Sequence, residues 1–218
     1  MKFEGFATRE EAGRELGRRL KLMHIADPVV LALPRGGVPV AAEVARTLEA
    51  PLDLLLVRKI GVPWQPELAA AAVVDGERPD LVLNDDVMRL SGLHPGDIED
   101  LMKPHLEEIE RRRKLYLNGR LPERIAGRCA IVVDDGIATG TTVRAALTAL
   151  RRRQPKRLVL AVPVGSAESL DALTSEVDDL VCLQRPRPFY AIGQFYADFH
   201  QVPDGEVVAL MKAAATPP

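Results

Sequence analysis

Two adjacent acids, Asp134 and Asp135, come directly after an apolar run of β-branched residues at 131–133. Such a run predicts a buried strand, which would carry both carboxylates at its C-terminal end. Ligands of open parallel α/β sheets bind at that end of the strands. Carboxylates placed there can accept hydrogen bonds from the hydroxyl groups of a sugar.

A loop of small and hydroxyl-bearing residues follows the acid pair and leads into a helical pattern. Backbone N–H groups of such a loop, together with the first turn of the helix behind it, form an anion pocket, and side-chain hydroxyls add donors. The residues of this predicted phosphate cradle are Ala138, Thr139, Gly140, Thr141 and Thr142. Carboxylates followed by a phosphate cradle fit a phosphorylated ribose. The alternative is an ordinary strand–loop–helix turn with a polar tip.

The composition indicates a folded domain and excludes some partners. Of the 218 residues, 47% are hydrophobic and 28% are charged, which is enough for a core beneath a solvated surface. The net charge of −2 gives no general attraction to nucleic acids or membranes. No apolar run approaches the roughly 18 residues that span a bilayer, and residues 1–13 lack the apolar segment of a signal peptide. We therefore expect a cytoplasmic protein.

Apolar strands alternate with helices along much of the chain and supply the frame for these residues. The alternation predicts an α/β fold, with a Rossmann-like parallel sheet of about five strands flanked by helices. We expect one domain over residues 1–218, in which the acid pair follows the third core strand. The predicted core strands are 29–33, 52–57, 129–133, 157–162 and 180–184.

Residues 60–125 interrupt the alternation and are predicted to form an insertion over the sheet. They begin with a stretch rich in Pro, Gly and Ala, which predicts a long mobile loop before a short strand at 68–74. Residues 81–83 are the predicted hairpin partner of that strand. Helices are expected over 84–90 and 97–117, and Pro104 should kink or end the second. Residues 185–203 hold most of the aromatic side chains and are predicted to contribute to a hood over the site.

The stretch 132–142 resembles the phosphoribosyl-diphosphate (PRPP) binding motif of type I phosphoribosyltransferases, in which apolar residues precede two acids and a loop of small and hydroxyl residues. The resemblance extends to Arg35, Gly36 and Gly37 after the first core strand, and to Lys59 after the second. The Arg-Gly-Gly stretch is similar to the pyrophosphate loop of that family. Lys59 is similar to a lysine of the family that faces the pyrophosphate. The resemblance implies the type I phosphoribosyltransferase fold.

The resemblance also implies roles for these residues. Asp134 and Asp135 would accept hydrogen bonds from the ribose hydroxyls and stabilise a cation-like ribose as pyrophosphate departs. At an effective dielectric near 20, a carboxylate about 5 Å from that cation contributes roughly 3 kcal/mol. Arg35 and Lys59 would complete the catalytic set by binding the pyrophosphate. Mg²⁺ is the expected cofactor, carried by the substrate near the acid pair and not held directly by side chains.

Two positions depart from the family pattern. Ala138 stands where 6-oxopurine enzymes have an Asp that serves the purine, which disfavours a hypoxanthine or guanine acceptor and leaves adenine-like, orotate-like or other acceptors open. Gly136 stands where an apolar residue is usual and would loosen the turn. Aromatic side chains could stack on a flat base, although they could equally form the small core of the hood. The candidates for acceptor binding are Trp64, Phe189 and Tyr190.

We therefore expect an enzyme that transfers the 5-phosphoribosyl group from PRPP to a nitrogenous base or related acceptor and releases pyrophosphate. The main alternative is a PRPP- or nucleotide-sensing regulatory protein on the same fold, and a phosphorylase or hydrolase is a weaker third. The expected partners are PRPP and a small acceptor, without membrane or nucleic acid. A homodimer, common in this family, remains open, with the first helix as a candidate interface.

Overall fold

The computed structural model describes residues 5–76 and 79–215. The predicted domain also includes residues 1–4, 77–78 and 216–218, which lie outside the described residues. In chain order the helices and strands are α1 (Arg9–Lys21), β1 (Pro28–Ala32), α2 (Gly37–Leu48), β2 (Leu52–Leu54), β3 (Val57–Val62), β4 (Gln65–Val74), β5 (Asp80–Leu83), α3 (Asp85–Ser91), α4 (Pro95–Leu117), β6 (Cys129–Val133), α5 (Thr141–Arg152), β7 (Arg157–Val164), α6 (Ala167–Leu173), β8 (Asp179–Gln184) and α7 (Asp204–Ala214).

The central sheet has five parallel strands in the order β2-β1-β6-β7-β8. β6 is buried along its whole length, as expected of a parallel strand covered on both faces. The last residues of β1 and β6 are in register, because Ala32 pairs with Val133. The loops that follow these two strands therefore start at the same level of the sheet, whereas β7 continues three residues beyond Ala161, the partner of Val133. The predicted fold class is confirmed.

Helices cover both faces of the central sheet. On one face α1, α2 and α7 pack in a core that includes Leu16, Val44 and Met211. On the other face α5 and α6 contribute Leu147 and Leu170 to a second core. α1 lies flush against α2, because a Cβ added at Gly13 would come within 2.6 Å of the carbonyl oxygen of Val40. This close packing fixes the position of the first residues of α1.

A second sheet of three antiparallel strands, β3-β4-β5, corrects part of the sequence interpretation. The predicted core strand 52–57 leaves the central sheet after Leu54, and the predicted mobile loop is instead the hairpin of β3 and β4. The prolines and glycines that suggested a loop lie where they remove no regular ladder bond. Pro63 is in the turn, and Pro66 lies beside a register irregularity at Gly61. A Cβ at Gly61 would lie only 2.1 Å from the carbonyl oxygen of Pro66.

Other elements of the region follow the prediction. β5 pairs with β4, with Leu81 opposite Val73, so the predicted hairpin partner is confirmed. The two predicted helices are α3 and α4. α4 does not end at Pro104, since its buried residues on both sides of the proline, Ile98 and Ile109, anchor it to the core. Within the described residues, no helix has the length and apolar character to cross a bilayer.

Candidate active site

The loops after β1 and β6 contact each other where the two strands end. A Cβ added at Gly36 would lie 2.1 Å from Oδ2 of Asp135, and one added at Gly37 would lie 2.8 Å from the carbonyl oxygen of Val133. Real Cβ atoms do not approach other atoms so closely, so the contact needs glycine at both positions. The peptide between Pro34 and Arg35 is cis. The Arg-Gly-Gly loop and the acid pair, separated by about a hundred residues in sequence, thus form one site.

Asp135 is buried and ion-paired. Its Oδ2 lies 2.8 Å from Nε of Arg9, and both side chains are almost fully enclosed, with 8% of Asp135 and 6% of Arg9 exposed. The hydroxyl of Tyr196 donates a 2.6 Å hydrogen bond to the backbone oxygen of Asp135. Sequence reasoning missed Arg9, which lies in the predicted first helix and was given no role in the site. Only the Thr8 capping position beside it marks the start of that helix.

Asp134 is half-buried and differs from its neighbour. Its Oδ1 accepts a 2.9 Å hydrogen bond from the backbone N–H of Asp135. Burial raises the pKa of Asp134 well above its usual range, and the negative charge of Asp135 raises it further. Burial also raises the pKa of Asp135, opposed by the hydrogen bond and charge of Arg9. The pair therefore lies in a low-dielectric environment, where its field acts strongly on a nearby cation.

The phosphate cradle is fixed by the turn after β7. Ile137 donates its N–H to the oxygen of Val164 at 3.0 Å, and the oxygen of Ala138 accepts hydrogen bonds from the hydroxyls of Ser166 at 3.0 Å and Ser169 at 2.5 Å. Gly140 has a φ of +73°, a conformation that favours glycine, and precedes the first residue of α5 without a side-chain cap. The N–H groups of the first turn of α5 are thus left without a capping side chain, and Thr139 and Thr141 are exposed beside them.

Gly136 has a packing role that its departure from the family pattern did not suggest. A Cβ added there would lie 2.7 Å from Cγ2 of Ile192, which belongs to the C-terminal aromatic tail. The side chain of Ile192 thus fills the space where the family usually has an apolar side chain on the loop itself. The C-terminal tail therefore packs against the acid loop, and the contact with Ile192 compensates the loosening of the turn that was expected from glycine at this position.

Arg35 lies at the outer edge of the site. Its Nη1 is 3.4 Å from Oδ1 of Asp204 at the start of α7, and the hydroxyl of Tyr116 donates to the same oxygen at 2.6 Å. Burial and the hydrogen bond to Asp204 raise the pKa of Tyr116 to about 12, so it remains a donor. Arg35 is partly exposed and is therefore held only loosely by Asp204.

The predicted Lys59 and the three aromatic candidates lie in different environments. Lys59 is exposed in the middle of β3, so its expected place at the end of a core strand is wrong, because that strand belongs to the second sheet. Trp64 lies in the β3–β4 turn with 67% of its surface exposed, and Tyr190 is 76% exposed. Neither ring contacts another aromatic ring within the described residues. Phe189 stacks on Phe195 at a centroid distance of 5.5 Å, which favours the hydrophobic-core alternative for Phe189.

The aromatic tail pairs with the N-terminal segment of the chain. Phe6 donates its N–H to the oxygen of Phe195 at 2.8 Å and accepts from the N–H of Ala197 at 2.9 Å. The ring of Phe6 lies 5.7 Å from that of Tyr196. Residues 6–9 and 192–200 thus form a joint layer beside the acid loop, which we call the N/C clasp.

No group of three or more His, Cys, Asp or Glu side chains is arranged to hold a metal ion in residues 5–76 and 79–215. The acid pair nonetheless offers carboxylate oxygens at the end of β6. Such oxygens suit a Mg²⁺ ion that keeps most of its ligands as phosphate oxygens and water.

Comparisons with known proteins bear on the family. A protein of Mycobacterium tuberculosis that is provisionally named a phosphoribosyl transferase is 46% identical over 209 residues, or 96% of this chain and 47% of that protein. The chain thus spans about half the length of that relative. A uracil phosphoribosyltransferase of Clostridium beijerinckii is 41% identical over 61 residues, 28% of this chain and 29% of that enzyme. The crystal structure of TT1426 from Thermus thermophilus matches 97% of this chain and 100% of that chain, with a TM-score of 0.85 and 38% identity.

The sequence profile of the family described as "Phosphoribosyl transferase domain" matches residues 13–200. The matched range contains the Arg-Gly-Gly loop, the acid pair and the phosphate cradle, the motifs on which the resemblance rested. The match extends over well more than half of the chain, and the resemblance is thereby confirmed. The chain belongs to the phosphoribosyltransferase family.

Proposed function

We propose that this protein transfers the 5-phosphoribosyl group of PRPP to a nitrogenous acceptor and releases pyrophosphate. The observation that carries the proposal is the convergence of the acid pair, the cradle and the Arg-Gly-Gly loop at the ends of β1 and β6, whose last residues, Ala32 and Val133, are paired. Each of the three parts matches one part of PRPP: ribose, 5′-phosphate and pyrophosphate. Membership of the family supports the same assignment.

The cradle and the loop after β1 would bind the two phosphate-bearing ends of the substrate. The N–H groups of residues 138–142 and the exposed hydroxyls of Thr139 and Thr141 would bind the 5′-phosphate at the start of α5. The guanidinium of Arg35 and the backbone at Gly36 would bind the pyrophosphate. Lys59 is a proposed further charge for the same group, from the second sheet.

The acid pair would act on the ribose, which lies between the 5′-phosphate and the pyrophosphate in PRPP. As the bond to pyrophosphate breaks, positive charge develops on the sugar, and a carboxylate about 5 Å away lowers the barrier by roughly 3 kcal/mol at an effective dielectric near 20. That contribution corresponds to about a hundredfold in rate. Asp135 is buried and Asp134 is half-buried, which limits the screening of the pair by water and favours a contribution of this size.

Mg²⁺ fits the proposed site as an ion carried by PRPP. In this chain the ion would lie near Asp134 and Asp135, and no closed cage of side chains is arranged for it within the described residues. When bound, the ion would neutralise part of the charge of the pyrophosphate and so assist its departure. The chain's own part is to orient the ribose and to bind the phosphates on either side of it.

The acceptor is proposed as a nitrogenous base whose proton is not removed by the cradle. Ala138 has a methyl group where a general base would be needed to take the proton of the acceptor. The proton must therefore pass to another group of the protein or to the substrate itself. The exposed rings of Trp64 and Tyr190 remain available to stack on an acceptor, whereas Phe189 is already stacked on Phe195. A 6-oxopurine is the least favoured acceptor.

The test is pyrophosphate release from PRPP and Mg²⁺ across a panel of adenine, orotate, uracil, hypoxanthine and guanine. The proposal expects release with at least one acceptor and at least a tenfold loss in Asp134→Asn. The exposed Asp100 of α4 supplies a matched control, because Asp100→Asn removes an 81% exposed carboxylate from a different helix. PRPP binding without release for any base would instead favour the sensor alternative. Absence of PRPP binding would refute both.

A further inference from the structure

A cavity of about 730 Å³ lies beside β2, between the C-terminal end of α5 and the loop that leads into β6. We call it the edge cavity; it is lined mainly by residues 53–55, 122–126 and 152–153. We propose that the edge cavity is a second ligand site, which binds a phosphate monoester of about nucleotide size. The proposal goes beyond phosphoribosyl transfer and does not depend on it.

Two acids of the cavity wall are paired with two of its arginines. Both carboxylate oxygens of the buried Asp75 accept hydrogen bonds from Nη1 of Arg113 at 2.9 Å. Oδ2 of Asp80 lies 3.1 Å from Nη2 of Arg153. These four side chains therefore balance one another, and they add no net charge to the cavity.

The other two acids of the wall are bound by groups outside the cavity. Asp53 accepts the N–H groups of Leu54 and Glu123, each at 2.8 Å, and its Oδ1 lies 3.6 Å from Nη2 of Arg120. Oε2 of Glu123 lies 3.4 Å from Nη1 of Arg128. Since Arg120 and Arg128 do not line the cavity, they neutralise these two acids without using an arginine of its wall.

Two arginines of the wall are left without an acidic partner among residues 5–76 and 79–215. Arg124 is exposed in the loop before β6 and makes no hydrogen bond or ion pair in that part of the chain. Arg152, the last residue of α5, donates from Nη1 to the backbone oxygen of Leu81 at 3.0 Å. The wall thus has two positive charges in excess. A phosphate monoester carries close to two negative charges, and guanidinium groups match the geometry of its oxygens.

The size and the apolar part of the wall indicate that the ligand is larger than a free phosphate ion. Leu31, Leu55 and Ile125 line the cavity and belong to the core between the central sheet and α5. Small-molecule sites have volumes of roughly 300–1,000 Å³ and combine such apolar walls with a few polar groups. An inorganic phosphate would leave the apolar wall uncovered, whereas the organic part of a nucleotide would cover it.

The edge cavity is separate from the proposed PRPP site. None of its lining residues belongs to the Arg-Gly-Gly loop, the acid pair or the phosphate cradle. α5 begins at the cradle with Thr141 and ends at the cavity with Arg152, so these two residues are about 17 Å apart along the helix axis. Two ligands can therefore bind at the same time.

The test is an NMR titration of the full chain that follows two backbone N–H signals. Ile125 reports on the edge cavity and Thr141 reports on the cradle. The probes are adenosine 5′-monophosphate, adenosine and inorganic phosphate. Adenosine 5′-monophosphate should shift the Ile125 signal, with a Kd at least tenfold below that of inorganic phosphate at the same signal. Adenosine, which lacks the phosphate, should leave the Ile125 signal unchanged.

A matched pair of double variants separates binding by the two arginines from a general change of charge. Arg124→Gln/Arg152→Gln should weaken binding of adenosine 5′-monophosphate at Ile125 at least tenfold. Both side chains are exposed, so this variant should unfold within about 2 °C of the wild type. The control is Arg18→Gln/Arg19→Gln, which removes two exposed arginines from α1 on the opposite face of the sheet and should bind like the wild type.

Each outcome decides the proposal. If adenosine 5′-monophosphate shifts Thr141 at saturation and leaves Ile125 unchanged, it binds the cradle alone and the edge cavity is not a ligand site. If inorganic phosphate binds at Ile125 as tightly as the nucleotide, the proposed class of ligand is wrong. If the Arg124→Gln/Arg152→Gln variant binds like the control, these arginines do not hold the phosphate. Failure of PRPP to shift Thr141 would count against the proposed function alone, because Ile125 reports on a different site.

Discussion

Gly36 offers a direct test of the contact between the two site loops. In Gly36→Ala the new Cβ would lie 2.1 Å from Oδ2 of Asp135 and 2.7 Å from its Cγ. An ordinary contact requires the carboxylate to move by roughly 1 Å, because packed interiors do not compress. That movement would strain the ion pair with Arg9, whose guanidinium is fixed on the other side. We expect a loss of about 1–3 kcal/mol in the free energy of unfolding, as for other overpacked sites.

Urea denaturation measures this loss, and calorimetric titration of PRPP measures its consequence for the site. Affinity should fall at least tenfold, because the acid pair moves relative to the cradle. Gly96→Ala is the control: a Cβ there has no atom within 4 Å, and alanine is the better helix former near the start of α4. If Gly36→Ala unfolds and binds PRPP like Gly96→Ala, the two loops do not depend on each other as the structure indicates.

Three other changes have expected outcomes. Asp204→Asn should free Arg35 from its exposed partner and raise PRPP affinity in titration. The increase should be at most about fivefold, because an exposed ion pair contributes no more than that. Weaker binding would mean that Asp204 holds Arg35 in the orientation that PRPP needs. Gly136→Ala should cost about 1 kcal/mol in urea denaturation through its contact with Ile192, and shortening Ile192 to alanine in the same protein should recover part of that loss. The pKa of His200 should be above its usual 6.5 in an NMR titration, because the imidazole binds two carboxylates. Its contribution to stability is therefore present below pH 6.5 and is lost as the pH rises through the raised pKa. A pKa at or below 6.5 would contradict these contacts.

The central sheet and the phosphate cradle could be predicted because their signals are local. Runs of β-branched residues such as 131–133 indicate a parallel strand wherever they occur, since both faces of that strand are buried. The acids and the hydroxyl loop follow within nine residues, and the chain itself therefore places them together. For the same reason the order of the proposed ribose and phosphate contacts follows from the sequence alone.

The contacts of Arg9 could not be predicted, because they depend on residues far away in the chain. Arg9 and Asp135 are 126 positions apart, and an arginine early in a charged helix is usually solvated. The second sheet was missed for a different reason. Its prolines and glycines suggest a loop, and only the pairing of β3 with β4 shows that they occupy the turn and the irregular part of the ladder.

The measurement that tests the central claim most directly is the crystal structure of the protein with PRPP and Mg²⁺. We predict the 5′-phosphate within hydrogen-bonding distance of the N–H groups of residues 138–142 and the pyrophosphate against Arg35. The ribose hydroxyls should lie within hydrogen-bonding distance of the acid pair, Asp134 and Asp135. PRPP bound elsewhere, or a phosphate that avoids the first turn of α5, would contradict the proposed site.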